Sequence, residues 1–172
     1  VYALALQTNG DVIVGGDLSN FNGQAVANLI RLSKGGVLDA TFGQDAAPNG
    51  IVRALGVNTA GKIYVGGEFT AIGTTARSRV ARLRVTGLVD DVFDPGTGAN
   101  GTVRSLVVHP NSEVSIAGDF TQVNGIPRSH VARLHGDERL AVTGVEFDQT
   151  SYIVNENVGT ASATLRRVGD PN

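Results

Sequence analysis

The sequence predicts an all-β chain made of three propeller-type blades, and three observations predict it. The chain overlays on itself at an offset of 51 residues, twice and without insertion. Each unit breaks into short apolar segments separated by turn chemistry, about four per unit, which is the arithmetic of a propeller blade. No segment repeats its apolar residues at helical spacing over three turns.

The register of the repeat is read from named positions. Val1 falls on Val52 and Val103, and the pair Gly15-Gly16 falls on Gly66-Gly67 and then on Ala117-Gly118. An acid, a large apolar residue and a hydroxyl follow each time: Asp17-Leu18-Ser19, Glu68-Phe69-Thr70 and Asp119-Phe120-Thr121. Arg31-Leu32, Arg82-Leu83 and Arg133-Leu134 coincide, Asp39 and Phe42 match Asp90 and Phe93, and Asn49-Gly50 matches Asn100-Gly101. The blades are therefore placed at 1–51, 52–102 and 103–140.

Within a blade the first strand is apolar (1–6, 52–57, 103–108), and a turn follows it. The second, Val12-Ile13-Val14 or Ile63-Tyr64-Val65, is a continuous apolar run, as in a strand covered on both faces. It ends on the glycine pair, whose expected role is a tight backbone turn where blades crowd together. The third strand (28–32, 79–83, 130–134) mixes Arg with aliphatics and is expected to be partly exposed. A fourth piece spans 37–42 and 88–93. In the third unit Ala141 and Gly144 stand where Asp90 and Phe93 would be, so the array is expected to end near Leu140. A β-solenoid is the competing architecture, but its coils run nearer ~20–30 residues. Three blades do not close a ring, since propellers use about 4–8. The expectation is a fragment of a longer protein, or a ring completed by neighbouring chains.

Composition narrows the function classes. The 172 residues hold 14 Lys+Arg against 16 Asp+Glu, so no basic footprint for nucleic acid is present. With no Cys, thiol nucleophiles and Cys-based zinc sites are excluded. No apolar run reaches the ~18 residues that a membrane-spanning helix needs. Gly96-Thr97-Gly98-Ala99-Asn100-Gly101 fits G-x-G-x-x-G, yet a strand and not a helix follows, so it reads as a turn between blades. His109, His130 and His135 lie at a strand end, at an arginine-type repeat position and at a turn, which gives no converging set. Neither G-x-S-x-G nor H-E-x-x-H occurs, and no catalytic residue or cofactor site is assigned. Asn100-Gly101-Thr102 forms a glycosylation sequon that the repeat itself accounts for.

The recurring charged positions are read as structural. Asp17, Glu68 and Asp119 are expected to accept N–H bonds from the adjacent turn; an arc of them holding a cation is the sharper alternative. Arg31, Arg82 and Arg133 are expected to lock blades by bidentate contacts, with Asp39 and Asp90 as partners.

The run Ile63-Tyr64-Val65-Gly66-Gly67-Glu68-Phe69-Thr70, then Arg77, Val80-Ala81-Arg82-Leu83 and Val89-Asp90-Asp91-Val92-Phe93, resembles the bacterial delta-60 repeat. The likeness covers roughly residues 1–140. It implies a propeller-like, non-catalytic structural or adhesive module of a large extracellular bacterial surface protein. Partners would be other domains of the same long chain, identical neighbouring chains, or a protein or glycan ligand, without nucleic acid or membrane insertion. A filament or sheath subunit completed by its neighbours, and an accessory propeller of a secreted glycan-active enzyme, are the alternatives.

From about Gly144 the character changes. Phe147 to Gly159, with Leu165-Arg166-Arg167-Val168-Gly169-Asp170, resembles the start of a Calx-beta domain, an immunoglobulin-like sandwich, over 141–172. That resemblance implies Glu156 as a Ca²⁺ ligand in the intact sandwich, with the remaining ligands supplied by later loops.

Overall fold

The computed structural model describes residues 1–44 and 47–135, and beyond them the backbone of two strands. It is all-β: no helix occurs among the described residues. Contacts divide the chain into Val1–Asp137 and Glu138–Asn172.

Blade one comprises β1 (Ala3–Leu6), β2 (Val12–Gly15), the short pair β3 (Asn20–Phe21) and β4 (Gln24–Ala25), and β5 (Leu29–Leu32). Blade two repeats the series as β6 (Val52–Val57), β7 (Ile63–Gly67), β8 (Ala71–Ile72), β9 (Thr75–Ala76) and β10 (Val80–Leu83). Blade three has β11 (Val103–Val108), β12 (Val114–Gly118), β13 (Gln122–Val123), β14 (Ile126–Pro127) and β15 (Val131–Leu134). Each blade is a three-stranded antiparallel sheet with its second strand in the middle: β1-β2-β5, β6-β7-β10 and β11-β12-β15.

The fourth piece of blades one and two is shorter than the apolar pattern suggests. It touches the sheet through one bridge only, Leu32 to Leu38 and Leu83 to Val89. The reason lies one residue later, where the Asp39 carboxylate accepts the Thr41 N–H and hydroxyl and bends the chain away from the ladder. Between the second and third strands each blade carries a small hairpin. Its two-residue tips Asn22-Gly23 and Asn124-Gly125 have positive φ at both positions, the conformation a tight hairpin needs.

Apolar side chains of adjacent blades interdigitate. One cluster joins Ile13 and Leu29 of blade one to Val52, Ile63, Val65 and Leu83 of blade two. A second joins Tyr64, Val80 and Phe93 of blade two to Val103, Val114 and Ile116 of blade three. Blade two is thus covered on both faces, and β7 is buried throughout. So is β10, against the expectation of partial exposure, and Arg82 in its middle is 0% exposed.

In the second unit, β16 (Gly144–Phe147) pairs antiparallel with β17 (Leu165–Val168). Residues 148–164, Glu156 among them, lie outside the described residues.

Candidate functional site

The charged residues gather in two settings, a ladder at the ends of the first and second strands and a buried cluster inside blade two. The ladder begins with a local irregularity. Between Val52 and Ala54, and again between Val103 and Ser105, the pairing of the first strand with the second shifts by one residue. The extra residues are Arg53 and Arg104. A bulge re-aims a side chain, and here it goes with an arginine that meets the acid at the end of the neighbouring strand. Arg53 Nε donates to Glu68 Oε1 at 2.5 Å, and Arg104 Nε lies 2.7 and 2.9 Å from the two Asp119 oxygens. In blade one the equivalent residue is Tyr2, and the Arg53 guanidinium stacks 4.9 Å above its ring.

This changes the reading of the recurring acids. Glu68 and Asp119 take arginine N–H groups from the preceding strand, where turn N–H groups were expected. An ionised donor makes the stronger hydrogen bond, and the bulge delivers one. The Arg104 side chain lowers the pKa of Asp119, and Asp119 in turn raises that of Arg104. Among the described residues no three His, Asp or Glu gather as a metal site, which leaves the acid arc without a cation role there.

The buried cluster centres on Arg82. Its Nε donates to Asp90 Oδ2 at 2.9 Å, and Nη1 lies 3.4 Å from the Tyr64 hydroxyl. That hydroxyl donates to the Ser112 carbonyl of blade three at 2.6 Å, so the cluster reaches across the blade boundary. The guanidinium sits 5.3 Å over the Phe93 ring, and Lys62 Nζ approaches Asp90 at 3.2 Å. Burial raises the Asp90 pKa, but the hydrogen bond from Lys62 and the charge of Arg82 outweigh it and hold the carboxyl below its ordinary value.

Blade one repeats the arrangement nearer the surface. Arg31 donates from Nε and Nη2 to the same Asp39 oxygen, at 2.9 and 2.6 Å, and from Nη1 to the Val85 carbonyl of blade two at 2.7 Å. Arg133 in blade three instead pairs with Glu113, which also meets His135.

Hydrogen bonds from Thr41, and then from Arg31, hold the Asp39 pKa at about 2 against 3.8 for a free Asp. A lowered folded pKa means that the unfolded chain takes up the proton first. Stability from this group is therefore complete above about pH 4 and lost as pH falls toward about 2, by on the order of 1–2 kcal/mol. Urea unfolding followed by circular dichroism across that window should show the loss, and Asp39→Asn should flatten the curve; an unchanged slope would rule the contribution out.

Some connecting residues were not legible as such. Asn49 accepts the Thr70 and Ala71 N–H groups and donates to the Thr70 hydroxyl; Asn100 does the same with Thr121 and Gln122. Each ties an incoming linker to its blade. The sequon side chain makes three hydrogen bonds in this way. Asn28, Arg79 and His130, equivalent in the repeat, all have positive φ. Asn28 and Arg79 extend to the Pro48 and Ala99 carbonyls of the next linker. The only sequence signal for these was their identical offset.

The glycine pairs act by close approach and not by turn conformation. Gly15, Gly16, Gly66, Gly67 and Gly118 all lie outside the positive-φ region, and a Cβ on Gly67 or Gly118 would run into the Ile51 or Thr102 carbonyl. In the Gly96–Gly101 loop the Gly96 N–H goes to Asp94 and the Thr97 N–H to Asn124, which leaves neither for a phosphate. The histidines do not converge: His109 meets Ser115, His130 meets the Gly118 carbonyl, and His135 meets Glu113.

A family model described as a β-propeller domain of unknown function, DUF5122, matches residues 7–42, 61–93 and 110–137, once in each blade. Among curated proteins, ATP phosphoribosyltransferase regulatory subunits of Rhizobium etli and Rhizobium johnstonii are 27% and 28% identical over 158 and 162 residues. The match takes in 90% of this chain and 41% of theirs, so the chain spans about two fifths of those relatives. A solved structure of a luciferin-regenerating enzyme aligns with a TM-score of 0.46 at 13% identity, over 78% of this chain and 44% of the other.

Proposed function

The chain belongs to the DUF5122 β-propeller family, and on that premise we propose that it is a non-catalytic structural and binding module of a large extracellular bacterial protein. One observation carries the reading: charged side chains that recur from blade to blade are engaged in the scaffold itself, within their own blade at Arg53, Arg82 and Arg104 and across a blade boundary at Arg31. Arg31, Arg53, Arg82 and Arg104 each meet a carboxylate or a carbonyl of their own or the next blade. What remains for recognition is the set of loops and hairpins that a rigid scaffold presents, the usual place for binding residues. The ligand class that fits is a protein or glycan surface, and other domains of the same polypeptide are the nearest partners.

The residues after about 140 are proposed to begin a Calx-beta sandwich. Glu156 is proposed as a Ca²⁺ ligand only within the intact sandwich, because one carboxylate supplies too few oxygens for a six- to eight-coordinate ion and the other ligands would come from later loops.

The extracellular assignment is tested by labelling intact cells of the source organism with a membrane-impermeant amine reagent. The full-length protein should be labelled as strongly in intact as in lysed cells. Labelling confined to lysates would overturn the assignment.

A further inference from the structure

In blade one, β4, β5 and the fourth piece border a cleft of about 260 Å³, walled by Leu29, Leu38 and Phe42 with Ala25, Val26 and Ala40 beside them. Comparison with blade two shows how it arises. Val26, Arg77 and Arg128 occupy one position of the repeat, and each donates its backbone N–H to the equivalent carbonyl, that of Ser19, Thr70 or Thr121. In blade two the Arg77 side chain is packed inward, 12% exposed with its Nε buried. It reaches Asp91 at 3.7 Å and Asp94 at 4.0 Å. Blade one has Ala40 and Gly43 in place of those two acids, and both line the cleft.

An arginine and both of its acid partners are thus missing together from blade one, and the space they fill in blade two is left open. Folded chains pack their interiors without such gaps. The lining decides what fits. The Asp39 carboxylate on the wall is already matched, since Arg31 donates to its Oδ2 at 2.9 and 2.6 Å and Thr41 to its Oδ1. A charged ligand would therefore give up hydration without gaining a free counter-ion. One polar group is left over by the replacement. Arg77 Nη1 donates to the Ala76 carbonyl at 2.9 Å, whereas Val26 has no side-chain donor for the equivalent carbonyl of Ala25.

We infer that this cleft is a binding site for a small uncharged molecule with an apolar, ring-sized body and one N–H or O–H donor, the chemical class of phenol and indole. The body takes the volume that the Arg77 stem and its acid partners take in blade two. The donor goes to the Ala25 carbonyl, as Arg77 Nη1 goes to Ala76. Burial of the apolar body supplies the affinity, and the single hydrogen bond fixes its orientation. The volume lies just under the range of about 300–1,000 Å³ usual for small-molecule pockets, which limits the occupant to one or two rings.

Isothermal titration calorimetry of the full-length protein with indole tests this, and saturable binding at a single site is expected. 1-Methylindole keeps the rings and lacks the N–H, so it should bind about 3- to 10-fold more weakly. Val26→Arg with Ala40→Asp rebuilds the filling seen in blade two and should weaken indole binding by about 10-fold or more. Val26→Phe fills the same space with carbon and needs no acid partner, so it should have the same effect even where the charged pair fails to fold. Circular dichroism identifies which variants are folded. The inference is overturned by the absence of saturable indole binding up to about 10 mM. Equal affinity for 1-methylindole, or undiminished binding in a folded filled variant, overturns it as well.

Discussion

Replacing Asp90 by Ala should cost the protein about 3–5 kcal/mol, the largest effect expected of any substitution considered. Arg82 is wholly buried and Asp90 nearly so. Removing the carboxylate takes from a buried guanidinium its short charge-assisted hydrogen bond to Asp90, and the Tyr64 hydroxyl at 3.4 Å is a neutral neighbour. The pair itself is a weak source of net stability, because desolvating two charges offsets much of their attraction. Removing both charges with apolar side chains, Arg82→Met with Asp90→Leu, should accordingly cost much less than Asp90→Ala alone. The equivalent Asp39→Ala in blade one should cost only about 1–2 kcal/mol, because Arg31 keeps partial contact with water and the Val85 carbonyl. Urea denaturation followed by circular dichroism measures all three. Equal losses at Asp39 and Asp90 would refute the burial argument.

Gly67→Ala should lower stability by about 2–3 kcal/mol or more, purely by crowding. The added carbon would stand 2.1 Å from the Ile51 carbonyl oxygen and 3.1 Å from Val52 Cα, and backbone atoms cannot rotate out of the way. Gly35→Ala is the control. Its nearest neighbour would be the Ser33 hydroxyl at 3.7 Å, and its φ is not positive, so the change should be neutral or stabilising by up to about 1 kcal/mol. Gly66→Ala should fall between them, since it meets a side chain, Val103 Cγ1, that has some freedom to shift. Thermal melting of the three variants ranks them, and a tolerated Gly67→Ala would remove the close-approach explanation for the paired glycines.

Three blades, their order and the positions at which they touch were legible in the sequence because repetition makes a position's chemistry visible. Gly15 and Gly66 at the same offset, followed by Asp17 and Glu68, single themselves out without any structure. The Arg82–Asp90 pairing was legible for the same reason, down to its recurrence as Arg31–Asp39. The residues that act through geometry were not. Arg53 and Arg104 recur only twice, with Tyr2 in the third place, and their partnership with Glu68 and Asp119 comes with a bulge that no composition announces. Asn49 and Asn100 looked like ordinary turn residues, although each closes three hydrogen bonds to a strand more than twenty residues away.

The sequence by itself determined the all-β class, the period and the small residues required between blades, since those follow from local patterning and volume. Tertiary structure alone decided which charges are buried. Burial of Arg82 depends on blade three covering the face of blade two that carries Tyr64, Val80 and Phe93, and no local segment contains that information.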